Sequence, residues 1–255
     1  MTNKIIINAD DFGLTESCTK AIAAAFSENL ISSTTACANG EYIKEAYLIA
    51  KDNGFSDKVG VHLNVTEGTP LTENIKSDPF FCKDGKFHGR INRLAKPDKS
   101  SLDNLREELF AQISRLKEIG FPISHADSHH HIHTDMFFID TIAALLKEFG
   151  IKKIRLHRNM GKIKFYKVLG KKLYNRKLKK LGFITTDKMG SIEDIKYNPS
   201  IIKNSLCEIM VHPDYNRAGD LIDRIDFDEN FGVGEKLSDI NSLTGGLEKI
   251  SYNEI

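Results

Sequence analysis

Five of the nine histidines of this chain fall inside nine residues, His125-Ala-Asp127-Ser-His129-His130-His131-Ile-His133, with a carboxylate among them. What frames the run limits what it can be. Upstream, Leu102, Leu105, Leu109, Ile113, Leu116 and Ile119 recur at helical spacing, and Gly120 followed by Pro122 stops that helix. Downstream, Phe138, Ile142, Leu145, Leu146 and Phe149 make a second apolar stripe that ends at Gly150. The stretch between is long enough for a short strand. The histidines therefore occupy the turn from a strand's carboxyl end into the next helix, where α/β folds place their chemistry. If the strand conformation persists, alternation puts Asp127, His129, His131 and His133 on one face; if the helix begins early, His129 and His133 share one. A solvated histidine-rich loop is the bland alternative, but such loops are low in complexity, and this one is set between two well-patterned helices. Five imidazoles exceed what one ion can ligate, so some must orient others or contact a substrate.

The same grammar recurs along the chain. Lys4-Ile-Ile-Ile-Asn8 reads as a buried strand, followed at once by Asp10-Asp11-Phe-Gly13 and a helix marked by Cys18, Ala21, Ile22, Ala25 and Phe26. An Asx-turn or N-cap needs only one of two adjacent aspartates. The functional reading is a division of labour, one carboxylate ligating a cation and its neighbour acting as a base. Residues 31–38 form a Thr-rich strand candidate and 41–51 a helix. Val59 to Val65 is the next strand, with His62 and Asn64 pointing the same way by alternation. A lone strand histidine is often a satisfied core residue, but this one nears a strand end. Further strands are expected at 152–157 and 207–213, the latter ending in His212-Pro213, with a helix over 192–206. About seven β→helix units suggest a barrel or barrel-like parallel sheet in one 255-residue domain. In a barrel, the ends carrying Asp10, Asp11, His62, His129 and His212 face one mouth.

Two segments do not fit the alternation. Residues 66–99 contain Pro70, Pro79, Pro97 and an Asp84-Gly85 turn, and are expected to form one wall of a substrate cleft with a hairpin at that turn. Residues 162–180 hold nine Lys/Arg and no acid. With a net charge of only +1, the solvated cationic face of an amphipathic helix is favoured over a nucleic-acid surface, and a milder use is attracting an anionic group on a substrate. No stretch approaches a membrane span or a signal peptide, and the four cysteines lie far apart. The cytoplasm is the expected compartment, with no membrane or nucleic-acid partner.

With these residues in view, the chain resembles the YdjC-like carbohydrate deacetylases, whose best-known activity is on chitooligosaccharides. The likeness is carried by Ile-Asn-Ala-Asp-Asp-Phe-Gly at 7–13, Gly-Val-His-Leu-Asn with Thr-Glu-Gly-Thr-Pro-Leu at 60–71, Asp-Ser-His-His-His-Ile-His at 127–133, Thr-Thr-Asp at 185–187 and Met-Val-His-Pro at 210–213. The resemblance implies a distorted (β/α) barrel, similar to NodB-type polysaccharide deacetylases and glycoside hydrolase barrels. It also implies a divalent metal, usually magnesium, held by Asp11, His62 and His129, and cytoplasmic homodimers that break down sugars. His130 stands where many relatives have Gln. On this footing the expected activity is metal-dependent removal of the N-acetyl group from an acetylated oligosaccharide, with or without a phosphate on the sugar. Asp10 is the expected base and His212 the acid for the leaving amine. Asp127 or His131 is expected to orient His129, with His133 and Asn64 near the ligands or the substrate. An Asp-His-His donor set suits zinc, manganese or ferrous iron as well as magnesium. The rivals are a metal-dependent phosphoesterase and a non-catalytic sugar- or metal-binding protein.

Overall fold

Ile5, Ile6 and Ile7 are fully buried, as an apolar run covered on both faces should be, and they open the central strand β1 (Lys4–Phe12). The computed structural model describes residues 4–89, 91, 95–224 and 236–255. After β1 come α1 (Glu16–Ser27), β2 (Ser33–Ala36), α2 (Ile43–Asp52), β3 (Val59–Leu63) and α3 (Glu73–Lys76). A hairpin, β4 (Cys82–Lys83) and β5 (Lys86–Phe87), turns at Asp84-Gly85 as expected, both residues having positive φ. The chain continues through α4 (Lys99–Ile119), β6 (Ala126–Ser128), α5 (Ile139–Glu148), α6 (Phe165–Lys180), β7 (Lys188–Ser191), α7 (Ile192–Tyr197) and β8 (Cys207–Val211). It ends with a second hairpin, β9 (Pro213–Tyr215) and β10 (Leu221–Asp223), then α8 (Ile240–Leu243) and β11 (Glu248–Lys249).

The main sheet is parallel, in the order β6-β3-β2-β1-β8-β7, with β11 pairing the start of β1. It is curled, and isolated bridges from Ala126 to Ile154 and from Lys153 to Ile184 carry the pairing beyond β6. These bridges are all that forms where a full strand was expected over 152–157. The ladder stops there because the Asn175 side chain bonds both the N–H and the C=O of His157, taking the place of a neighbouring strand.

Helix boundaries follow local chemistry. Thr15 caps α1 and Asp98 caps α4, and Gly120 ends α4 in the left-handed region at φ 118°. The helix expected over 192–206 stops at Tyr197, since Pro199 cannot continue it and starts a short 3-10 turn instead. On α6, Tyr174 and Leu178 are buried, but the outward side carries Phe165, Leu169 and Leu173 as well as cations, so it is not the purely charged face expected.

The histidine run departs from both conformations expected of it. After β6 the chain enters a 3-10 segment, His129–Thr134, in which His130 and His131 both adopt left-handed φ, 48° and 55°. Such residues cost on the order of 1 kcal/mol each and persist only where surroundings impose them. Ser128 does so, accepting from the His133 N–H and bonding His133 Nδ1 at 2.5 Å. The four polar residues therefore do not share one face.

Candidate metal centre at the carboxyl ends of the strands

Alternation along β1, β3 and β8 turns Asn8, Asp10, His62 and Glu208 into the curl of the sheet, and Arg155 enters from the bridged segment 152–155. The fully buried Arg155 holds three carboxylates together. Its Nε donates to Glu208 at 2.6 Å, and its two terminal nitrogens donate to the two oxygens of Asp10 at 2.7 and 2.6 Å. Its Nη1 also lies 2.7 Å from Asp127. Below this cluster the Tyr252 hydroxyl donates to Glu208, and the Tyr252 ring stacks on His125 with centroids 3.8 Å apart. His125 is further held by Asn8 and Ser124. A side chain on Gly60 would meet that imidazole at 2.5 Å, so the turn of β3 past His125 requires glycine.

Above Arg155 sits the group the sequence singled out. Asp11, itself left-handed at φ 72°, places Oδ1 3.3 Å from His62 Nε2 and 2.8 Å from His129 Nδ1. Its Oδ2 accepts from Arg224 at 2.9 Å. His62 Nδ1 donates to Asp127 at 2.6 Å, and Thr35 hydrogen-bonds to both His62 and Asp127. The other nitrogen of His129 faces Glu67 at 2.9 Å. Asp127 thus orients His62 rather than His129, and Glu67 holds the position beside His129 that Asp127 or His131 was expected to fill.

The electrostatics of these groups follow from burial and pairing. Burial alone would raise Asp10, but Arg155 overrides it and holds the carboxyl well below the usual range. Asp11 is likewise depressed despite its burial, by hydrogen bonds from His129 and His62. Burial opposes charge on His62, yet Asp127 and Asp11 raise it to about 10. His129 is also raised, against burial, by Asp11 and Glu67. His131 is pushed down to about 3 by burial and by Arg155. His212 is lowered by burial; its Nε2 is 3.8 Å from Asp10 and its Nδ1 3.9 Å from Asp223.

One carboxylate oxygen met by two imidazole nitrogens, each imidazole held by a further carboxylate, is the donor chemistry of a divalent cation site. Among the described residues, the groups Asp11–Cys37–His62, Glu67–His129–His130 and Asp10–His62–Asp127 each bring donor atoms within 4.8 Å of one another. The last of these already serves Arg155; Asp11 and His62 belong to the first group and His129 to the second, and Asp11 Oδ1 is the oxygen that meets both imidazoles.

Not every residue singled out reaches this point. His133 is buried against Ser128, and its main-chain oxygen accepts from the Tyr174 hydroxyl. Asn64 spends its side chain on the 64–67 turn that carries Glu67. His125 is a core residue. The sequence reading missed Arg155, Glu67, Thr35, Glu208, Asp223 and Tyr252; of these only Glu67 lay inside a quoted motif.

The sequence profile of the YdjC-like proteins matches residues 4–244. A carbohydrate deacetylase from Oceanobacillus iheyensis is 37% identical over 148 residues, 58% of this chain and 63% of that protein. A carbohydrate deacetylase from Clostridium beijerinckii is 28% identical over 212 residues, 83% of this chain and 82% of that protein. The chain thus spans less than two thirds of the Oceanobacillus relative. The crystal structure of a candidate cellobiose-phosphate cleavage protein from Enterococcus faecalis has the same fold, with a TM-score of 0.75 and 22% identity over 100% of this chain and 99% of that one. Among the described residues no helix is long and apolar enough to cross a membrane. By the extent of the profile match, this chain is a member of the YdjC-like family.

Proposed function

We propose that this protein is a metal-dependent carbohydrate deacetylase that hydrolyses the N-acetyl group of chitooligosaccharide or other N-acetylglucosamine-type substrates and releases acetate. The observation that carries the reading is the meeting of His62 and His129 on one oxygen of Asp11, with the carboxylate of Asp10 next in the chain and 3.8 Å from His212. The family and the deacetylase relatives support the substrate class. Asp11, His62 and His129 would hold the cation. When bound, a divalent ion supplies Lewis acidity for an amide carbonyl and for water.

The chain's own groups supply the rest. Arg155 keeps Asp10 ionised and fixed in direction, so that its carboxylate takes the proton of the attacking water. Asp127 and Glu67 orient His62 and His129 through their outward nitrogens. His212, between Asp10 and Asp223, delivers a proton to the departing amine. Family resemblance points to magnesium and to a cytoplasmic homodimer, while an Asp-His-His donor set suits zinc or another transition ion as well.

The test is acetate release from N-acetylglucosamine oligomers, with and without a sugar phosphate, by metal-stripped protein given back magnesium, zinc or manganese. Phosphomonoesters are assayed beside them. Phosphate release without acetate from any oligomer would overturn the reading in favour of a phosphoesterase.

A further inference from the structure

The inward side of β2 carries one donor that the reading above leaves unused. Ser33 and Thr35 alternate inward, and Thr35 bonds His62 and Asp127. The next residue of that parity is Cys37, just past the strand's carboxyl end, fully buried, with its N–H bonded to Phe12 O. Its Sγ, a carboxylate oxygen of Asp11 and a ring nitrogen of His62 lie within 4.8 Å of one another, all three residues being buried. The other nearby thiol is differently placed: Cys18 Sγ donates to the main-chain oxygens of Asp11 and Thr15. Among the described residues Cys37 Sγ makes no hydrogen bond. A buried cysteine is often only a small apolar filler. Here its side chain packs with Leu14 and Cys18, yet its sulfur also lies within 4.8 Å of donor atoms of Asp11 and His62, from two other strands.

We infer that Cys37 is a thiolate ligand of the cation held by Asp11 and His62, and that it gives the site a preference for thiophilic ions such as zinc over magnesium. Binding would form the sulfur–metal bond and release the thiol proton to solvent, since a coordinating thiol is deprotonated outright by a dipositive ion. Thiolates favour zinc and other late divalent ions, whereas magnesium takes oxygen donors. The inference rests on the metal-site reading above, but not on which bond the enzyme cleaves.

The experiment uses cobalt(II) as the probe, added to the metal-stripped full chain and followed by absorbance. The expected result is a near-ultraviolet thiolate-to-cobalt charge-transfer band beside the visible ligand-field bands. Cys37→Ser and Cys37→Ala should lose the first and keep the second, while Cys18→Ser keeps both. Competition between zinc and magnesium should show the zinc preference falling at least about tenfold in Cys37→Ser. Stoichiometric cobalt with ligand-field bands but no charge-transfer band in the native chain overturns the ligand role alone. So does a band that survives in both Cys37 variants. Failure of the native chain to bind cobalt at all overturns the metal-site reading with it.

Discussion

Arg155 grips Asp10 with both terminal nitrogens, 2.7 and 2.6 Å from the two carboxylate oxygens, both residues being buried. A bidentate pair fixes direction as well as charge. It fixes the Asp10 carboxylate on Arg155 while the adjacent Asp11 meets His62 and His129, so two aspartates adjacent in sequence hold different partners.

Asp10→Asn should therefore keep the metal and lose turnover. The amide cannot accept a proton, and a positioned general base is worth about 10²- to 10⁴-fold in rate. Acetate-release kinetics and metal stoichiometry on the same preparation check this; near-normal kcat would place the base elsewhere.

His62→Ala and His129→Ala should each weaken metal binding, because each removes one of the two nitrogens that meet Asp11. Equilibrium dialysis with zinc or magnesium measures it. Unchanged affinity in both variants would remove them as ligands.

The metal-free protein should lose stability as pH rises. His62 has its folded pKa raised from 6.5 to about 10, so its contribution is complete below about 6.5 and is lost as pH climbs toward 10. A cation competes with that proton for His62, so metal affinity should tighten over the same interval. Urea midpoints between pH 6 and 10, with chelator and with saturating metal, provide the comparison. A chelated protein whose midpoint stays flat would contradict the imidazolium bridge between Asp11 and Asp127.

Tyr252→Phe should cost about 1–3 kcal/mol, since it keeps the stack on His125 but leaves an oxygen of buried Glu208 without its donor. Urea denaturation with an unchanged m-value would show this as a simple loss of stability.

What could be read in the sequence was whatever local spacing encodes. Asp10, Asp11, His62 and His129 announce themselves because polar residues at the end of apolar strands have no packing reason to be there. The Asp84-Gly85 hairpin and the Gly120 stop are local for the same reason. Arg155 was not legible: an arginine amid Ile and Leu gives no sign that three carboxylates from other segments surround it. Glu67 looked like part of a loop, and only the turn built by Asn64 brings it to His129. The left-handed pair at His130 and His131 is imposed by Ser128 bonding back to His133, a loop closure that neither the extended nor the helical reading could anticipate.

The pairing of β1 has a kinetic side. Ile5 lies against Cys207 on one edge and Lys249 on the other, so the first residues of β1 find both partners only near the far end of the chain, while Asn8 onward pairs the nearby β2. Contacts that distant in sequence form slowly, because a long loop must close before any of them is rewarded. Until then the isoleucine triplet is a sticky segment in a nascent polypeptide. Refolding from denaturant should accordingly be prone to aggregation unless the protein is dilute or a chaperone shields that segment.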